Sequence, residues 1–148
     1  MKTKLSIISS LLLVALFAAA CGSQSATSTV SHGGPVEDYV SLIDSLRGAG
    51  ATLEPGDQIE QPFFTVTGQI IQVNGADVQV FEYETAEQLE AEAGQVAPDG
   101  GSTGTTMITW MATPHFFKAG RVIVLYVGDD QAILELLKGA LGAQFAGR

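Results

Sequence analysis

The sequence FFTVTGQIIQVNGADVQVFEY, residues 63–83, contains the signal on which the fold prediction depends. Asn74-Gly75 stands between two runs rich in β-branched and aromatic residues, and Asn-Gly in that setting is the strongest short-range indication of a β-hairpin. Residues 63–73 and 78–83 are therefore predicted to be neighbouring antiparallel strands. A hairpin that carries this many apolar side chains needs another layer to cover it, so we expect helices to pack against the sheet.

Helices are predicted at three places, each from a capping signal followed by apolar residues at helical spacing. The first begins at Pro35 and ends at Gly48, the second covers residues 86–93 after Thr85, and the third follows Asp129. Further strands are predicted at 51–54, at 105–117 with an interruption at Pro114, and at 121–127. The chain is thus predicted to be α+β in the order α-β-β-β-α-β-β-α.

In this prediction, an antiparallel sheet of about five strands has helices packed on one face. The order of elements resembles that of roadblock- or profilin-like domains. A likeness at the level of fold implies no function.

The first 20 residues have the pattern of a secretory signal peptide: Lys2 and Lys4, then an apolar segment, then small residues. The alternative is an uncleaved membrane-spanning helix. Residues 5–20 number 16, whereas about 20 are needed to cross the hydrocarbon core, and no positive charge follows to stop transfer. The pattern therefore favours a cleaved leader.

Ala18-Ala19-Ala20-Cys21 resembles the bacterial lipobox. The resemblance implies cleavage before Cys21, a diacylglyceryl thioether on its sulfur and an acyl chain on the freed amine. The alternative is a buried or reactive thiol in an unlipidated secreted protein. We expect residues 1–20 to be the signal peptide, 21–34 the lipidated cysteine and a flexible tether rich in Ser, Thr and Gly, and 35–148 one domain.

The charge of the chain excludes one class of partner. All 16 acidic residues but only five of the seven basic residues follow position 20, so residues 21–148 carry a formal charge of −11. Such a chain has no cationic surface for phosphates, which argues against nucleic acid binding. It also argues against electrostatic adhesion to anionic headgroups, so the lipid alone would hold the protein at the cell membrane or envelope, outside the cytoplasm.

The candidate catalytic group is His115 with Asp129 or Asp130, which would meet at the ends of two strands as an acid–base pair or as metal ligands. The alternative is a structural histidine, with the aspartates capping a helix. No established catalytic motif is present, and Cys21 is consumed by the lipid, so no cofactor is expected beyond that covalent lipid.

The candidate binding residues are an aromatic group beside two positive charges: Trp110, Phe116, Phe117, Lys118 and Arg121. If the aromatic rings are exposed on an open face of the sheet, they form a surface for a protein or a small molecule. The alternative is that they belong to the core.

Residues 81–83, 114–117 and 120–130 are together similar to those of an uncharacterised group of small bacterial lipoproteins. This resemblance implies no activity. The sequence predicts a membrane-anchored extracytoplasmic lipoprotein that acts as a non-catalytic interaction or ligand-binding module. The alternative is a small hydrolase or metal-dependent enzyme that uses His115 with Asp129 or Asp130.

Overall fold

The computed structural model describes residues 34–148, and this part of the chain is α+β. Its helices are α1 (Tyr39–Gly48), α2 (Ala86–Ala93) and α3 (Gln131–Leu141). Its strands are β1 (Leu53–Ile59), β2 (Gly68–Val73), β3 (Ala76–Glu82), β4 (Ser102–Thr103), β5 (Thr106–Met107), β6 (Pro114–Ala119), β7 (Val122–Val127) and β8 (Ala146–Gly147). No helix of residues 34–148 is both long and apolar enough to cross a membrane. The predicted leader, the tether up to residue 33 and Cys21 lie outside the described residues.

The hairpin predicted at Asn74-Gly75 is confirmed. Strands β2 and β3 pair antiparallel, with Val73 opposite Ala76, so the loop contains only those two residues. Asn74 and Gly75 both have positive φ angles, 51° and 86°. This is the turn geometry that matches the right-handed twist of the strands, and it requires residues that tolerate the left-handed region.

The main sheet has six antiparallel strands in the order β1-β2-β3-β7-β6-β8, rather than about five. The additional edge strand is β8, in which Ala146 pairs with Phe116. A second, two-stranded ladder joins β4 to β5. The strand predicted from residue 105 is therefore wrong in part, because only Thr106–Met107 is extended before a loop that leads to Pro114.

Helices cover both faces of the sheet, so the prediction of helices on one face is wrong. Successive side chains of β7 point to opposite faces. Val124 lies in a core with Leu42 of α1 and Leu137 of α3, whereas Leu125 lies in a second core with Leu89 of α2. Burial on both faces explains why β7 is apolar along nearly its whole length instead of alternating with polar residues.

Two of the helix starts differ from the prediction. Helix α1 begins after Asp38, not at Pro35, because Asp38 and Ser41 cap it reciprocally. The carboxylate of Asp38 accepts from the Ser41 N–H at 2.9 Å, and the Ser41 hydroxyl accepts from the Asp38 N–H at 2.9 Å. Helix α3 is capped by Asp130 rather than Asp129.

The β6–β7 turn packs against the start of the domain. Gly120 in this turn has a φ of +52°, and the N–H of Arg121 donates to the carbonyl of Glu37 at 2.8 Å. The first described residues therefore lie at this end of the sheet. Pro114 lies at the other end of β6, five residues before Ala119. This separation corresponds to roughly 17 Å of extended strand.

Candidate functional site

His115 is almost fully buried in β6, with 5% of its surface exposed. Its Nδ1 lies 2.7 Å from the amide oxygen of Gln144, and its ring stacks on that of Tyr126 with centroids 6.1 Å apart. The bond to an amide oxygen places the proton on Nδ1. Its Nε2 is buried and has no hydrogen-bond partner among the described residues.

The enzymatic alternative requires His115 to meet Asp129 or Asp130, and residues 34–148 contain no hydrogen bond between them. Asp129 accepts from the hydroxyl of Thr113 at 2.5 Å. Asp130 accepts from the N–H of Ala132 at 2.8 Å, as a helix cap does. Neither carboxylate is bonded to His115, and the described residues contain no group of three or more His, Cys, Asp or Glu side chains suited to a metal ion.

Both cations of the β6–β7 hairpin are paired within the fold. The guanidinium of Arg121 contacts Glu82 at 2.9 Å and donates to the carbonyl of Tyr83 at 2.9 Å. Lys118 pairs with Glu90, and its ammonium lies 5.4 Å from the centroid of the Phe145 ring. These contacts within the fold engage both of the positive charges that were named as candidate binding residues.

Two of the three candidate aromatic rings lie in the core, which was the alternative to an aromatic surface. Phe116 and Phe117 are 0% and 2% exposed and point into the two cores on opposite faces of the sheet. Trp110 is half-buried: its Nε1–H donates to the carbonyl of Gly100 at 2.7 Å, and its ring packs edge-on against Phe63 and Phe116. Only Trp110 of the three can therefore contribute to a surface.

Trp110 belongs to a loop that sequence reasoning did not single out. We call residues 104–113 the methionine loop. Met107 in this loop is 82% exposed, and Met111 is fully exposed. Residues 100–117 contain no Asp, Glu, Lys or Arg in a chain that is otherwise rich in acids. That gap in the charge pattern is the sequence signal that could have pointed to this loop.

A second feature is a cleft of about 410 Å³ between α3 and the segment 143–148, which we call the α3 cleft. It is lined by side chains from β6, α3 and the last residues: His115, Phe117, Gln131, Leu134, Glu135, Lys138, Ala143, Gln144 and Arg148. The four residues from α3 are spaced i, i+3, i+4 and i+7, which places them on one face of the helix. The lining of the cleft combines apolar side chains with charged ones.

No protein-family model, curated protein or solved structure matches this chain.

The methionine loop and the α3 cleft are therefore interpreted from their own chemistry. They contain different residues, and the loop is uncharged whereas the rim of the cleft carries Glu135, Lys138 and Arg148. An uncharged loop with exposed methionines suits contact with another macromolecule, and a concave site with a few polar groups suits a small molecule.

Proposed function

We propose that this protein is a membrane-anchored extracytoplasmic lipoprotein, held by lipid on Cys21, and that its domain is a non-catalytic interaction module. The methionine loop is its contact surface, and the partner is a protein. The observation that carries the proposal is the exposure of Met107 and Met111 on either side of a fixed tryptophan, Trp110, within an uncharged stretch.

The loop has the chemistry of the centre of a protein interface. Interface cores are enriched in Trp and Met and depleted of charged side chains. Methionine is flexible and polarisable, so Met107 and Met111 can adapt to a partner surface. Trp110 is already held by its bond to Gly100 and by Phe63 and Phe116, so little side-chain entropy is lost when a partner covers it.

The position of the loop favours a partner protein over the bilayer. The loop leads into Pro114, at the opposite end of β6 from the turn that contacts Glu37, which is among the first described residues. A tether at residues 21–34 would thus attach to the far side of the domain, with an r.m.s. reach of roughly 20 Å. The charge of −11 also disfavours approach to anionic lipid.

The anchor is tested by replacing the sulfur that would carry the lipid. Cys21→Ser should move the protein from the membrane fraction to the soluble fraction, because a hydroxyl does not form the thioether. Because the lipobox also directs cleavage of the leader, the Cys21→Ser protein carries an ordinary cleavable signal peptide in place of residues 1–20. Serine is nearly isosteric with cysteine, so the remaining difference is the lipid. A Cys21→Ser protein that stays with the membrane would contradict the lipid anchor.

The contact surface is tested by photo-crosslinking in cells that make the full chain. A photoreactive amino acid at position 111 should give one discrete protein adduct, identified by mass spectrometry. The same residue at Val40, which is 66% exposed on α1, is the matched control and should not give that adduct. Met107→Asp should suppress the adduct at position 111, because it places a charge in the apolar contact.

The test protein is the mature Cys21→Ser chain, that is, residues 21–148 with serine at position 21. The identified partner, once purified, should bind this protein at least about tenfold more tightly than it binds the same protein with Met107→Asp. Crosslinking at position 111 to lipid, to a second copy of the chain or to nothing would contradict the proposal. Equal binding of the two variants by the purified partner would also contradict it.

A further inference from the structure

The α3 cleft has the dimensions of a small-molecule site. Its volume of about 410 Å³ lies within the range of pockets that enclose small ligands. One wall is a single face of α3, and the other is the segment that leads into β8. Gln144 of that segment is fixed by its 2.7 Å bond to His115, so the wall is held in place without a ligand.

The rim of the cleft carries two of the five basic residues that follow position 20. Among the described residues Lys138 forms no ion pair, in contrast to Lys118 and Arg121. The side chain of Arg148 is 76% exposed, and its guanidinium lies 3.9 Å from the carboxylate of Asp99. Neither cation has a carboxylate in close contact within residues 34–148. In a strongly acidic chain, two such positive charges at one cleft favour binding of an anion there.

The lining of the cleft is part apolar and part polar. Phe117, Leu134 and Ala143 line it, and the amides of Gln131 and Gln144 add hydrogen-bonding groups. A ligand that fits these surfaces has an apolar body and an anionic head group. Since Glu135 also lines the cleft, a second negative charge on the ligand would be repelled.

We propose that the α3 cleft binds a small organic monocarboxylate, with its carboxylate at Lys138 and Arg148 and its apolar body on Phe117 and Leu134. The cleft shares no residue with the methionine loop, and Lys138 lies outside the neighbouring pocket in which Arg148 adjoins Ile108 and Trp110. Binding in the cleft does not depend on the proposed partner protein. A failure of one proposal therefore leaves the other standing.

The probe is 3-phenylpropionate, titrated into the mature Cys21→Ser chain and followed by the backbone amide signals in NMR. Shifts should concentrate in α3 and in residues 143–148. Its uncharged analogue 3-phenylpropanamide should bind at least about fivefold more weakly, because it lacks the charge that Lys138 and Arg148 attract. The dicarboxylate phthalate should also bind more weakly, because of Glu135.

Substitutions in the cleft test whether 3-phenylpropionate binds there. Lys138→Met should weaken binding of 3-phenylpropionate about fivefold, as expected for loss of one partly exposed ionic contact. Arg47→Met removes an exposed cation on α1 and is the matched control, with no change expected. Glu135→Gln should strengthen binding of phthalate more than that of 3-phenylpropionate.

Three results would overturn the proposal: equal binding of the acid and its amide, equal effects of Lys138→Met and Arg47→Met, or shifts outside the cleft. Absence of any saturable shift with 3-phenylpropionate would overturn it as well. Lys138 is exposed and makes no contact on which the core depends, so its variant is expected to fold.

Discussion

The imidazole Nδ1 of His115 lies 2.7 Å from the amide oxygen of Gln144, which is 29 residues later in the chain. The bond connects β6 to the segment just before β8 and so holds the last part of the chain against the sheet. It satisfies only one of the two ring nitrogens, because Nε2 is buried without a partner in the described residues. An imidazole in this position therefore depends on Gln144 for its one hydrogen bond.

Gln144→Leu should lower the free energy of unfolding by about 2 kcal/mol, because it leaves both nitrogens of a buried imidazole unpaired. His115→Phe keeps the ring that stacks on Tyr126 and removes both polar atoms, so it should cost less than about 1 kcal/mol. Adding Gln144→Leu to His115→Phe should lower the free energy of unfolding only slightly, because no imidazole is left to lose a partner. Urea unfolding of the mature Cys21→Ser chain measures all four states of this cycle. Additive effects of the two changes would contradict the coupling.

Gly120→Ala should destabilise the domain by about 3 kcal/mol or more. A Cβ at this position would lie 2.3 Å from the Cα of Glu37, and the φ of +52° adds the penalty of the left-handed region. Gly75→Ala is the control, because Gly75 also has a positive φ but nothing within 4 Å of an added Cβ. It should cost only about 1 kcal/mol. Similar losses in the two variants would mean that contact with Glu37 is unimportant.

Local signals predicted the elements of the fold better than their arrangement. The Asn74-Gly75 hairpin and α2 after Thr85 were predictable because turn and cap residues act on neighbours within a few positions. Coverage of both sheet faces was not predicted, since α2 carries few apolar residues. Leu89 and Ala93 are nevertheless enough to cover one face, together with Phe64 and Val96 from the loops.

The candidate site was less predictable for a related reason. The grouping of His115 with Asp129 and Asp130 assumed that residues at neighbouring strand ends converge, but Gln144 arrives from a distant segment and takes the one polar contact. Phe116 and Phe117 were ambiguous because adjacent residues of a strand point to opposite faces, and both faces of this sheet are covered. The exposure of Met107 and Met111 depends on how β5 ends, which no local motif encodes.

Stability at acid pH should depend on Asp38. The pKa of its carboxyl is held below its ordinary value of 3.8, first by the N–H of Ser41, then by the Ser41 hydroxyl and by the positive charge of Arg121. A group whose pKa is lower in the folded state stabilises the fold above its unfolded pKa, and that contribution is lost as the pH falls below about 4.

Asp38→Asn can still cap α1 but cannot ionise. The stability difference between the parent and Asp38→Asn should therefore be constant from pH 5 to pH 7, by the same linkage argument, and should shrink below about pH 4. Unfolding in urea at a series of pH values measures this difference, in which the other carboxylates largely cancel. A difference that does not change with pH would show that the charge of Asp38 contributes nothing.

Stability at alkaline pH should depend on Tyr83, which is 2% exposed and donates its hydroxyl proton to Glu92 at 3.3 Å. Burial raises the pKa of Tyr83 above its ordinary value of 10.0, and the negative charge of Glu92 and the hydrogen bond to it raise it further. Below pH 10 the phenol is protonated in both the folded and the unfolded state, so its contribution does not vary with pH.

Above about pH 10 the unfolded chain releases this proton and the folded chain does not, so the parent should lose about 1.4 kcal/mol of stability per pH unit relative to Tyr83→Phe. Tyr39, whose pKa is also raised by burial, is present in both proteins and cancels in the comparison. Denaturant unfolding of the two proteins between pH 8 and pH 11 tests this expectation, because the slope arises only if the buried phenol stays protonated while its unfolded counterpart ionises. Parallel stability curves across that range would mean that Tyr83 ionises as readily in the folded domain as in the unfolded chain.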